Sequence, residues 1–143
     1  MLRWPWLSIS RFHSVGGPSD SIGGLVTEYW QVSERSWGVV ITCRGHDKER
    51  TVGGAVTEFE HVASKRESTF TIFADLLAMT GYESESRQAW QVAFTRYAQR
   101  VDGLVLVGAQ SALIRMGAAT IGAATGIPVR FVASWADLPE LVR

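Results

Sequence analysis

Residues 74–90 read ADLLAMTGYESESRQAW, and the fold follows from how this stretch joins what flanks it. Before it, STFTIFADL sets Phe70, Ile72 and Ala74 against Thr69, Thr71 and Phe73, the period-two alternation of a strand. After it, Ala89, Trp90, Ala93, Phe94 and Tyr97 recur at three- and four-residue steps, the stripe of an amphipathic helix. Between the two, LAMTGYE reads as a loop. A strand that hands over to a helix in this way brings its loop to the C-terminal edge of a sheet, where α/β domains place functional residues. Glu83 and Glu85 suit the positive N-terminal end of the helix. The Ser84 hydroxyl there has two uses: capping free backbone N–H groups, or carrying a phosphate that those groups and the helix dipole would tolerate.

Outward from this junction the alternation continues on both sides. DGLVLVG, from Asp102 to Gly108, is the nearly all-apolar run of an interior strand. A helix follows from Ser111 to Thr125, ending at Gly126 ahead of Pro128. PVRFVAS supplies a further strand, and WADLPELVR a short terminal helix that Pro139 kinks or shortens. Upstream, TEYWQVS and WGVVITC are aromatic and β-branched runs separated by Glu34, Arg35 and Ser36, which predicts an antiparallel hairpin with a turn near His46 after it. Val52, Val56, Phe59 and Val62 or Ala63 then mark a helix to about Lys65, weakened in its first turn by Gly53 and Gly54. The order ββαβαβαβα predicts a single α/β domain. Its sheet is mixed, mostly parallel and five-stranded, with about four helices.

This domain is expected over residues 27–143. Residues 1–26 form a tryptophan-bearing arm and a linker, SVGGPSDSIGG, of flexible Gly/Ser/Pro composition. Trp4, Trp6 and Phe12, with Arg3 and Arg11 among them, suit a docking peptide or a peripheral membrane anchor, since tryptophan and arginine serve both; the plainer reading folds the arm back over its own domain.

At 143 residues with 46% hydrophobic and 20% charged side chains, the chain can bury one core without staples. Its 14 Lys and Arg balance 14 Asp and Glu, so it lacks the positive field that supplies most nucleic-acid affinity. The one cysteine, Cys43, forms no intrachain disulfide. No run approaches the roughly 20 apolar residues of a membrane span, and the first dozen residues lack the apolar core of a secretory signal. The expected location is the cytoplasm.

No catalytic set, metal site or cofactor motif emerges. Cys43 and His46 are near neighbours, but a thiolate nucleophile needs a stabilising setting and an oriented base, so Cys43 reads as a buried strand residue. His13 and His61 have no ligand spacing. The glycines of GAATIGAATG lie inside or at the end of a helix and not between a strand and a helix start, which argues against a phosphate cradle. Gly117, Ala118, Ala119, Gly122 and Ala123 suit close helix packing or, as the functional version of the same feature, a self-association face that would make a homodimer.

The pattern from Asp75 and Leu76 through Glu83 and Ser84, a strand, an acid, a loop, an acid and a serine opening a helix, resembles the STAS domains of bacterial anti-sigma-factor antagonists. The element order and the stretches DGLVLVG, LIRMGA and GIPVRFVAS fit as well, and look closest to the STAS-like branch that carries the SEC14 lipid-binding name. The resemblance implies a non-enzymatic regulatory or scaffold domain that docks another protein, such as a serine kinase acting as anti-sigma factor. In that family the helix opens with Asp-Ser-Ser-Gly, and a partner kinase phosphorylates the first serine. By position the Asp falls on Glu83, that serine on Ser84, and the remaining Ser and Gly on Glu85 and Ser86. Ser84 is then the candidate phosphorylation site. The docking surface comprises Met79, Thr80, Gly81, Tyr82, Glu83, Ser84, Glu85, Ser86 and Arg87. The alternative is a small-ligand or lipid-binding module, which requires an apolar cavity near Phe73, Trp90, Phe94 and Met116.

Overall fold

The computed structural model of the chain describes residues 29–138. The arm with Trp4, Trp6 and Phe12 lies outside them, as does the end of the expected terminal helix. The hairpin forms from β1, Tyr29–Arg35, and β2, Gly38–Asp47, paired antiparallel with Arg35 opposite Gly38. The helix α1, Glu49–Lys65, leads to β3, Phe70–Asp75. A short strand β4, Met79–Tyr82, precedes α2, Ser84–Arg96. The remainder is β5, Val101–Val107, α3, Ala112–Thr125, and β6, Val129–Val132.

The sheet runs β1-β2-β3-β5-β6, and β4 pairs with β2 off this path, which makes six strands where five are expected. Every pairing beyond the hairpin is parallel. Three α-helices and two 3₁₀ turns, Ala98–Arg100 and Trp135–Asp137, take the place of about four helices among the described residues. The terminal segment starts as the 3₁₀ turn, whose start is held by Asp137 Oδ2 accepting from the Ala133 and Ser134 N–H groups at 3.2 Å.

Because successive parallel strands advance in one direction across the sheet, α1, α2 and α3 all cover the same face. Phe59 and Ala63 of α1, Ala93 and Phe94 of α2, and Ile114, Ala118 and Ile121 of α3 share one core with Val39, Ile41, Ile72, Leu104 and Leu106 of the sheet. Phe59 lies edge-on to Trp90, Phe94 and Tyr97, an aromatic cluster that ties α1 to α2. The alternate residues of the same strands, Val40, Phe73, Val105 and Val107, build a second, smaller core with Trp37, Trp135 and Leu138. Phe73 therefore faces away from the helices.

The small residues of α3 explain its approach to the sheet. Gly117, Ala118 and Gly122 are buried, and a Cβ on Gly117 would sit 2.6 Å from the Tyr82 Oη. Ala119 and Ala123 of the same run face outward. Ser111 caps α3 by accepting from the Ile114 N–H at 3.0 Å, and Gly126 ends it in the left-handed conformation at φ 79°.

Candidate functional site

β2 is long for a reason that bears on the site. Its first half, through Thr42, pairs with β3, while its last residues pair with β4, Gly45 opposite Met79, His46 opposite Gly81 and Asp47 opposite Tyr82. The register shifts between Gly45 and His46. His46 is thus a strand residue and not a turn residue: its ring fills the space beside Gly81, where a Cβ would lie 2.9 Å from Nδ1. The segment expected as a loop is anchored at both ends, by the Met79 N–H donating to the Leu76 carbonyl at 3.1 Å and the Glu83 N–H donating to the Asp47 carbonyl at 2.9 Å.

That second bond places the start of α2 at the end of β2. Glu83 is the N-cap and makes no side-chain capping bond; Ser84 is the first helical residue and is exposed. The hydroxyl at 84 is therefore not the cap that serine chemistry suggests at such a position. Thr80 and Glu85 are exposed beside it, Gly81 and Ser86 are buried, and Met79, Tyr82, Glu83 and Arg87 are half-buried. Arg87 donates to Gln91 Oε1 at 2.9 Å one turn on. The Tyr82 hydroxyl donates to the Leu113 carbonyl at 3.0 Å, linking β4 to the first turn of α3.

The residues 79–87 thus share one rim with the start of α3. Leu113 and Met116 are 52% and 59% exposed there, and Leu77, 41% exposed, leans on Gly108 at the turn between β5 and α3. Three of the five large hydrophobic side chains exposed among the described residues lie at this rim, an apolar surface that sequence periodicity alone does not single out.

Asp75, the acid that ends β3, is buried and structural. One carboxyl oxygen accepts from Trp135 Nε1 at 2.9 Å and the other from the Leu77 N–H at 3.2 Å, so it holds the Leu77 turn and the second core together.

Below the rim, between the sheet and the helices, lies an apolar cavity of about 100 Å³. Trp90 and Phe94 line it as expected of a ligand site, but Phe73, on the opposite face, and Met116, exposed on α3, do not. Asp47 and Arg87 are among its lining residues. Trp90 Nε1 donates to Asp47 Oδ2 at 3.2 Å. Burial raises the Asp47 carboxyl to about 6, the Trp90 bond opposing the rise and the Glu83 charge adding to it. Cys43, half-buried beside it, has its thiol pushed far above the ordinary range by burial and by the Asp47 charge, which keeps it protonated and inert as a nucleophile. Among the described residues no group of His, Cys, Asp and Glu is arranged to hold a metal, and no helix is long and apolar enough to cross a membrane.

No family model and no curated protein sequence matches the chain. Solved structures do. An uncharacterised Shewanella loihica protein with a SpoIIAA-like fold superposes with a TM-score of 0.61 at 8% identity, over 80% of this chain and 92% of its own. An anti-sigma factor antagonist from Mycobacterium paratuberculosis gives 0.58 at 16% identity, over 80% and 92%. The anti-sigma factor antagonist SpoIIAA, in its unphosphorylated form, gives 0.58 at 14% identity, over 80% and 97%. Likeness of shape with so little identity speaks to architecture, and on that ground the chain has a SpoIIAA-like fold.

Proposed function

We propose that the chain is a non-enzymatic regulatory or scaffold domain that docks a protein partner through the rim formed by residues 79–87 and the start of α3, with Ser84 as a phosphorylation switch. The observation that carries this reading is the company Ser84 keeps. It is exposed at the first position of α2, and Leu77, Leu113 and Met116 present apolar surface on the same rim. Exposed apolar side chains clustered at the edge of a small domain are the usual mark of a contact surface. The similarity of the fold to anti-sigma factor antagonists supports a serine kinase or another anti-sigma-type regulator as the partner, and the cytoplasm as the setting. A phosphate on Ser84 adds nearly two negative charges between Glu83 and Glu85, enough to drive apart an interface made there.

The test is affinity capture with the wild type, Ser84→Asp and Ser84→Ala. Capture retained by Ser84→Ala and lost by Ser84→Asp supports the switch. The same partner held by all three removes the switch while leaving the docking.

A second reading, a small-ligand module, is favoured by the cavity against Trp90 and Phe94. Its volume suits a single ring or a short chain and not a two-chain lipid, so it is the small-ligand half of this reading that the cavity supports.

A further inference from the structure

Protein interiors pack as densely as organic crystals, and the voids they keep are few. The cavity of about 100 Å³ under α3 is left open by small side chains: Ala55 on α1, Ala74 on β3 and Ala118 on α3 all line it where a larger residue would fill it. An apolar cavity of about 150 Å³ stays dry and admits benzene; this one is smaller but not fully enclosed, so it suits a few methylenes or one ring held partly within it. The lining is not uniform, however. Asp47 and Arg87 are the charged residues of a lining that is otherwise almost wholly apolar, and Trp90 donates to only one Asp47 oxygen, Oδ2. A carboxyl oxygen accepts more than one hydrogen bond, and Oδ1 remains to accept another.

Resting on the small-ligand reading above, we propose that this cavity binds a compact neutral molecule, a single ring or short chain bearing one hydroxyl, with its apolar body against Ala55, Phe94 and Ala118 and its hydroxyl donating to Asp47. The almost wholly apolar lining selects against a fully charged head group, whose lost hydration it would not repay. A hydroxyl carries no charge and donates one hydrogen bond, which Asp47 can accept. Arg87, Tyr82 and Met79 belong both to the cavity wall and to residues 79–87, so an occupied cavity lies directly beneath the proposed docking rim.

The test is an NMR titration of the full chain with phenol and, separately, toluene, read at the Trp90 Nε1–H and the Ala118 amide. Saturable shifts at both are expected, with phenol binding about tenfold more tightly than toluene, the difference of one good hydrogen bond. Asp47→Asn is expected to cut the phenol advantage severalfold and leave toluene unchanged, and Ala118→Leu to weaken both ligands at least tenfold. Should Ala118→Leu not fold, Ala55→Val narrows the same cavity from α1 and is read in its place. The proposal is overturned if neither ligand gives saturable shifts in the wild type, or if the filled variant binds phenol as tightly as the wild type. Neither readout involves a partner protein, so failure here leaves the docking reading standing, and a failed capture experiment leaves this one standing.

Discussion

Ser86 is completely buried in the first turn of α2, and its hydroxyl has no hydrogen-bond partner. An orphaned buried hydroxyl costs about 1–3 kcal/mol, so Ser86→Ala is expected to stabilise the domain by about 1 kcal/mol in urea unfolding. Asp47 is the other residue whose setting predicts a measurement. Its carboxyl titrates near 6 in the fold and, like any aspartate, near 4 in the unfolded chain. Between those values the folded protein holds a proton that the unfolded chain releases. This group therefore favours the fold at about pH 4, and that contribution is lost as pH rises through about 6. Compared at pH 4.5 and 7.5, the stability difference between wild type and Asp47→Asn should move by about 2 kcal/mol, the wild type losing ground at the higher pH. Ser84, Glu83 and the acid at Asp75 were legible in the sequence as members of one junction. That Asp75 is a buried clamp for Trp135 was not, since the two residues are far apart in the chain and only the fold brings them together.

Among the elements, the helices and long strands were legible because each repeats its period several times: α1 is marked by Val52, Val56, Phe59 and Val62, although Val56 is only half-buried and Ala55 takes its place in the core, and β5 is apolar nearly throughout. β4 was not. Four residues give too few alternations to register a strand, and MTGY contains a glycine, which is depleted in strands. The same error shortened β2: Arg44, Gly45 and His46 read as a polar turn because the partner that makes them a strand was itself unseen. The turn between β5 and α3 is a sharper test of how the rim is built. Gly108 sits at φ 79°, and a Cβ there would lie 3.0 Å from the Leu77 Cα. Gly108→Ala combines a left-handed conformation with a backbone contact that is too close, and is expected to cost about 2 kcal/mol or more in chemical denaturation. A stability unchanged within 0.5 kcal/mol, roughly the scatter of surface substitutions, would refute the close packing of the Leu77 turn.

For the whole molecule the two faces of the sheet carry unequal loads. The three helices bury one face, while among the described residues the other is covered by Trp37, the Trp135 turn and Leu138. Trp135→Ala removes a buried ring from that cover and orphans the Asp75 oxygen it bonds; a loss of about 3 kcal/mol or more is expected by thermal or urea unfolding. Leu77, Leu113 and Met116, three of the five large hydrophobic side chains exposed among the described residues, lie at the rim with Ser84, and the proposed contact is at that end of the domain. The most direct measurement of that claim is site-specific photocrosslinking in cells, with the photoreactive residue placed in turn at Thr80, Glu85 and Met116 on the rim, and at His61, Glu67 and Thr69 away from it. All six positions are exposed, so each can report a neighbour. The account predicts one shared adduct from the three rim positions and none from the other three. Adducts formed mainly at His61, Glu67 or Thr69, with none on the rim, would contradict it.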